Sequence, residues 1–287
     1  MCTDDPSVTD CDHPPAGWTR RSLLAAAAGT LVAGRSLTGS GRAVAIPAKA
    51  GSVMPGVDPV EVLPGRLAIL PRDAWGPDLP PRAEHASEDV RFLLVHHTAS
   101  SNTYPSGGAR SVIRSTYAFQ TGPAKGWPDV CYHFFVDHDG VIWEGRAGSL
   151  AGPVVADATG GNQGFAQLVC LIGDFTATLP TAAAIDSLTG VLAWLAARYS
   201  VPTEPGVLVP FVSRGSQRWP AGTTVMTEGV RPHRSMSYTA CPGNAFAPFV
   251  ESELMARVAQ RRRDWADVLD PDPPLRATRG ELHARNG

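Results

Sequence analysis

Six side chains in the central part of this chain could ligate a metal ion: His96, His97, His133, His138, His233 and Cys241. The last two stand in PHRSMSYTACPG (232–243), eight positions apart and followed by Pro242-Gly243. That spacing is too long for a helical metal pair, and a disulfide would need a second cysteine. Two imidazoles and one thiolate would make three protein ligands. Zinc takes four, so a set of three leaves a position for water, the pattern of catalytic zinc. A structural zinc site shows paired cysteines at short spacing, and this chain has none. Neighbours in a strand point to opposite faces, so only one of His96 and His97 can join His233 and Cys241. Phe92, Leu94 and His96 share one face, and Leu93, Val95 and His97 share the other. Alternation does not choose between them. The plainer alternatives are a hydrogen-bonded histidine and a cysteine used for packing, as read for Cys170 inside an apolar strand.

The elements that must position these groups follow from periodicity. RFLLVHH (91–97) reads as a strand, and CYHFFV (131–136) with VIWEGR (141–146) as a hairpin turning at Asp139-Gly140. QLVCLIGDF (167–175) is almost continuously apolar, as expected of a central strand buried on both faces. Residues 108–120 place Val112, Ile113, Thr116 and Tyr117 on one helical face. Residues 181–199 form the clearest helix, with Ile185, Leu188, Leu192, Leu195 and Tyr199 in register and Thr181 as its cap. A Pro/Gly-rich excursion over 202–232 precedes a last helix, roughly 244–263, carrying Phe246, Val250, Leu254 and Val258. The expected architecture is a single α/β (α+β) domain over 72–263, a central mixed β-sheet flanked by helices. Residues 46–71 read as a linker or a strand laid on the surface, and 264–287 as a disordered polar tail.

The chain has 287 residues and a formal net charge of −2, enough for one substantial core and without the basic excess that nucleic-acid binding needs. TRRSLLAAAAGTLVAG (19–34) joins Arg20-Arg21 to a short apolar run, and AVA (43–45) follows. The run is too short for a stable membrane span, which takes ~20 residues. It reads as a twin-arginine export signal over 1–45 with cleavage after Ala45, which implies a secreted or wall-associated product and no membrane span after cleavage. Cys2 and Cys11 fall in that segment; Cys131, Cys170 and Cys241 remain. An odd number leaves at least one thiol outside any intramolecular disulfide, and metal ligation is one use for it.

LLVHHTAS, GWPDVCYHFFVDHDGVIWEGR, LVCLIGDF and HRSMSYTACPG, in this order, resemble the zinc N-acetylmuramoyl-L-alanine amidases that share a fold with peptidoglycan-recognition proteins and phage amidase-type lysozymes. The match runs roughly from Arg72 to Phe249. The resemblance implies zinc ligation by His96, His233 and Cys241, with Tyr132 and Thr239 as catalytic hydrogen-bond donors. It implies peptidoglycan as substrate, cut between the lactyl group of N-acetylmuramic acid and L-alanine. Zinc lowers the pKa of bound water toward ~7, and Tyr132 with the metal would stabilise the oxyanion. Glu144 is a candidate base or only a strand residue. Some positions depart from the family pattern: Pro232 and Ser235 flank His233-Arg234 where Gly and Asp are usual, Ala156-Asp157 replaces Gly-Ala-His, Cys131 replaces Gly, and Ala147-Gly148 replaces Gly-Trp. None removes a zinc ligand; they bear on groove contacts and selectivity. The alternatives are a non-catalytic muropeptide-binding module of the same fold, whose members typically lose the Cys ligand, and a structural metal domain with a closed fourth position.

Overall fold

The computed structural model describes residues 56–160 and 164–269. The expected export signal (1–45) and the residues beyond Leu269 lie outside the described residues. Nine strands and five helices are described, with strands β1 (Val60–Leu63), β2 (Leu67–Ile69), β3 (Phe92–His97), β4 (Phe134–Val136), β5 (Ile142–Glu144), β6 (Ala166–Leu171), β7 (Leu208–Val212), β8 (Thr224–Glu228) and β9 (Val230–Pro232). Helices are α1 (Ala109–Thr121), α2 (Ala182–Arg198), α3 (Ala247–Phe249), α4 (Met255–Asp264) and α5 (Ala266–Leu269). The fold is mixed α/β. Its central five-stranded sheet has the order β5-β4-β6-β3-β9. Only the β4–β5 hairpin is antiparallel; β4, β6, β3 and β9 run parallel.

Burial on both faces explains the apolar strands. Leu93 and Val95 of β3, with Val169 and Leu171 of β6, pack under α2 against Leu188, Leu192 and Leu195. Phe92, Leu94, Leu168 and Cys170 face the other way, toward Ile113 and Tyr117 of α1 and the Trp75, Tyr132 and Trp143 rings. Helix α2 starts where Thr181 caps it, its hydroxyl accepting from the Ala184 amide at 3.1 Å. The last helix carries Phe246, Val250, Leu254 and Val258 inward as the 3.6-residue spacing predicts, but it is broken by a π turn at Val250–Leu254 between α3 and α4. It also continues into α5, and Trp265 packs on the core where the composition suggests a polar tail from Asp264.

Two further segments differ from the sequence-based expectation. Residues 60–69, read as linker or surface strand, form the β1–β2 hairpin, which sends Leu63, Leu67 and Ile69 into the core. The 202–232 excursion holds the β7–β8 hairpin and β9. Strand β9 escapes a pattern search because it is three residues long and ends in Pro232, which a sheet tolerates at its edge.

Two ionisable side chains, Glu144 and His133, are buried with their bonding satisfied. Glu144 accepts from the Arg72 amide at 3.1 Å and from the Leu150 amide at 2.9 Å, so both its oxygens serve the backbone. His133 accepts at Nδ1 from the Leu168 amide (2.7 Å) and sits 2.8 Å from the Val154 carbonyl through Nε2. These two bonds define a neutral imidazole that donates from Nε2. Burial pushes its pKa down from 6.5 to about 3. A group with a depressed folded pKa contributes fully above its unfolded value and loses that contribution as pH falls toward the folded one. Acid should therefore destabilise the protein between pH 6.5 and about 3, by up to about 1.4 kcal/mol per pH unit from this residue. Urea midpoints across pH for wild type and His133→Gln test this, and equal pH slopes in the two proteins would refute it.

Candidate metal centre

Strand register assembles the site. In the parallel β3–β9 pair Leu93 lies opposite Val230, Leu94 opposite Arg231 and Val95 opposite Pro232. One further step sets His233 beside His96. Register partners in adjacent strands share a face, so the histidine that meets His233 is His96 and not His97. The two imidazole rings lie 4.2 Å apart between centroids, 30° from parallel. His97 points to the opposite face, toward the Phe175 ring, and its Nδ1 accepts from the Phe175 amide at 3.3 Å.

Cys241 returns to the same point through a closed loop. After His233 the chain makes a single 3₁₀ turn, His233–Ser235, and the amides of Met236 and Ser237 both reach the His233 carbonyl. The Arg234 amide then donates to the Cys241 carbonyl at 3.1 Å, joining the loop's two ends. The Arg234 guanidinium reinforces the closure, donating to the carbonyls of Ala240 and Cys241 and to Asn244 Oδ1. Gly243 lets the chain leave: its φ is +104°, and a Cβ there would lie 2.3 Å from the Phe175 carbonyl group. Any side chain would push the Cys241 loop off the Phe175 backbone.

The Nδ1 or Nε2 of His96 and His233 and the Sγ of Cys241 lie within 4.8 Å of one another, and all three residues are buried. The sulfur is 3.7 Å from His96 Nδ1 and accepts from the His97 amide at 3.4 Å. Around tetrahedral zinc, with bonds of roughly 2.0–2.3 Å, neighbouring N and S donors stand about 3.6 Å apart. Donor type and spacing therefore fit zinc. The thiolate is the form of cysteine that binds metal. Among the described residues the group contains three donors, with no fourth His, Cys, Asp or Glu in it.

Tyr132 lies against this group, its ring 5.2 Å from that of His96 and edge-on to Phe135 at 5.4 Å. Its carbonyl accepts from the Arg146 amide at 2.8 Å, and Gly145 packs so closely that a Cβ would come within 2.3 Å of it. Thr239 is half-buried in the Cys241 loop, and its hydroxyl accepts from the Cys241 amide at 3.1 Å, which leaves the hydroxyl hydrogen directed elsewhere. His133 and His138 do not join: the first is held by backbone, and the second stacks on Tyr104 at 4.2 Å. Among the described residues Cys131, Cys170 and Cys241 are not bonded to one another by a disulfide. Sequence reasoning missed Arg234 and the His97 amide as supports of the site. The Arg next to His233 was visible, but its targets are carbonyls that only the folded loop brings near.

A mixed-sheet domain with two histidines and a cysteine gathered at the ends of parallel strands is the class that these observations define. Residues 86–244 match the Amidase_2 family, described as N-acetylmuramoyl-L-alanine amidase, and the chain belongs to that family. Human N-acetylmuramoyl-L-alanine amidase is 31% identical over 193 residues, covering 64% of this chain and 28% of that protein. Peptidoglycan-recognition protein LE of Drosophila melanogaster is 31% identical over 127 residues, covering 44% of this chain and 35% of that protein. The chain thus matches about a third or less of the length of these two relatives. The solved structure of bumblebee PGRP-SA superposes with a TM-score of 0.50 at 14% identity, over 65% of this chain and 95% of that one, which shows the fold alone.

If the three donors share one ion, Cys241→Ser should remove it while the fold persists. Outer supports of a metal site typically contribute ~10–100-fold in affinity, and a direct ligand should exceed that. Metal content after dialysis, with circular dichroism as the folding check, decides it. A variant that keeps the wild-type stoichiometry would exclude Cys241 as a ligand.

Proposed function

We propose that this chain is an exported zinc amidase that hydrolyses the amide joining the lactyl group of N-acetylmuramic acid to L-alanine in bacterial cell-wall peptidoglycan. The observation that carries this reading is the convergence of His96, His233 and Cys241 as a set of three buried donors. A closed structural site would add a fourth protein donor, whereas a hydrolytic one needs a place for water and substrate. Membership of the amidase family supplies the substrate class.

His96, His233 and Cys241 would hold the ion, which when bound supplies Lewis acidity toward a carbonyl and lowers the pKa of water to about 7. The chain's own residues do the rest. Tyr132, fixed at its backbone by Arg146 and at its ring by Phe135 and His96, donates its hydroxyl hydrogen to the substrate carbonyl oxygen as that oxygen gains charge. Thr239 adds a second donor, its oxygen being held by the Cys241 amide. Water adds to the carbonyl carbon, the C–N bond breaks, and a proton passes to the departing amine of L-alanine. Glu144 takes no part in this scheme, because its two oxygens hold the Arg72 and Leu150 amides. A binding module without hydrolysis is the second reading, and retention of Cys241 favours the enzyme.

Export rests on Arg20-Arg21 and the apolar run after them. A twin-arginine route suits the site, since it carries proteins that have already folded around their metal.

Removing one oxyanion donor typically costs on the order of 10²–10³ in rate. Tyr132→Phe should lose about that much release of stem peptide from soluble muropeptides while keeping its metal. Undiminished turnover would take Tyr132 out of the mechanism. Replacing Arg20 and Arg21 together by lysine should leave the precursor in the cytoplasm, and efficient export of that variant would refute the twin-arginine route.

A further inference from the structure

The loop that carries two of the metal donors also presents the most exposed of the large apolar side chains among the described residues. Tyr238 stands three residues before Cys241 and is 67% exposed. A second element supports it. The connection between β7 and β8 (213–223) is built by its own hydrogen bonds: Ser213 Oγ donates to the Trp219 carbonyl at 2.8 Å, and Ser216 Oγ accepts from the amides of Arg218 and Trp219. From this ordered tip Arg218 reaches the metal loop and donates to the carbonyl of Arg234 at 2.6 Å. Its guanidinium lies 5.8 Å from the centre of the Tyr238 ring and 5.7 Å from that of Trp219. One cation thus bridges two aromatic rings from different elements at the apex of the donor loop.

Such an arrangement holds an exposed ring in place at little entropic cost to a ligand, because the ring has few torsions and a cation already packs on it. What stacks well on a flat phenol is a body with an apolar face and a polar rim. A pyranose has this shape: its axial C–H groups lie on the ring, and its hydroxyl and acetamido groups reach past the edge toward guanidinium N–H donors. The substrate proposed above has a sugar on one side of the scissile amide and a peptide on the other. We propose that Tyr238, backed by Arg218 and Trp219, is a glycan platform that binds a saccharide ring of the substrate beside the metal centre, so that specificity for the carbohydrate side resides in the β7–β8 tip. This inference rests on the amidase reading for the position of the scissile bond.

The test compares two soluble ligands on the metal-loaded full chain: a disaccharide-peptide, and the same peptide carrying only its lactyl group. The second is followed as a substrate or as a competitor of the first. Tyr238→Ala should raise KM for the disaccharide-peptide roughly three- to tenfold, the range of a single aromatic contact. Its kcat, its metal content and its affinity for the sugar-free peptide should not change. Tyr238→Phe, which keeps the ring, should behave as wild type. An unchanged KM in Tyr238→Ala, or an equal loss for both ligands, would overturn the platform, the latter by identifying a peptide contact. Should the wild-type protein release no stem peptide, the amidase reading fails, and the dissociation constants of the same two ligands still decide the platform.

Discussion

The arrangement depends on one constraint, the register of the parallel β3–β9 pair. With Val95 opposite Pro232, the next residues out are the two histidines, and both emerge where their strands end. A shift of one residue in β9 would set His233 on the His97 face and turn Val230 away from the core under α2. Three pairs of partners in so short an edge strand would hold register weakly by themselves. The strand interior supplies the rest: Leu93 and Val230 belong to the core under α2, so slippage would expose apolar surface as well as separate the two histidines. Ligands commonly bind at the carboxyl ends of strands in open α/β sheets. Here the same ends carry a donor each, so the sheet is part of the site as well as its support.

The histidines show how environment separates identical side chains. His96 and His97 are adjacent in sequence and both buried, yet one faces His233 and the other accepts an amide from Phe175. His133 is equally buried and is kept neutral by two backbone partners. Its neighbour Tyr132 benefits from this anchoring: the His133 ring ties the segment before β4 to β6 and to the Val154 segment, and Tyr132 sits at that anchored end. Glu144 acts in the same way one strand further out. Burying a polar group without a partner costs about 1–3 kcal/mol, so these ordered polar bonds restrict how β4 and β5 can pack and thereby where Tyr132 stands.

Much of this was legible in the sequence, for local reasons. The long elements β3, β6, α1 and α2 announce themselves because their periods persist over several turns or residues, and Thr181 marks a helix start by its chemistry. Motifs in fixed order pointed to His96, His233 and Cys241, and the structure brings those three together. The choice between His96 and His97 was closed to periodicity, because β3 is buried on both faces and both histidines are compatible with it; the decision lies in the register of β9, more than a hundred residues away. Strand β9 itself and the β7–β8 hairpin were hidden by Pro and Gly, whose local signal is that of a loop. The π turn within the last helix left no trace in a pattern that Phe246, Val250, Leu254 and Val258 satisfy equally well as a regular helix.

The segment 233–241 poses the remaining physical problem. Its ends supply two donors to one point, and between them it has only one short turn to define its path. Ordering such a segment costs on the order of 1–2 kcal/mol per residue in backbone entropy, a cost that falls on metal binding if the loop is loose beforehand. The contacts around it are arranged to meet that cost during folding. Arg234 joins both ends of the loop, Thr239 turns its side chain back to the Cys241 amide, Gly243 seats the exit on Phe175, and Arg218 holds the Arg234 carbonyl from outside. These contacts set the path that brings the sulfur to 3.7 Å from His96 Nδ1, so the position of the Cys241 donor is a property of the loop's hydrogen bonds as much as of the donor itself.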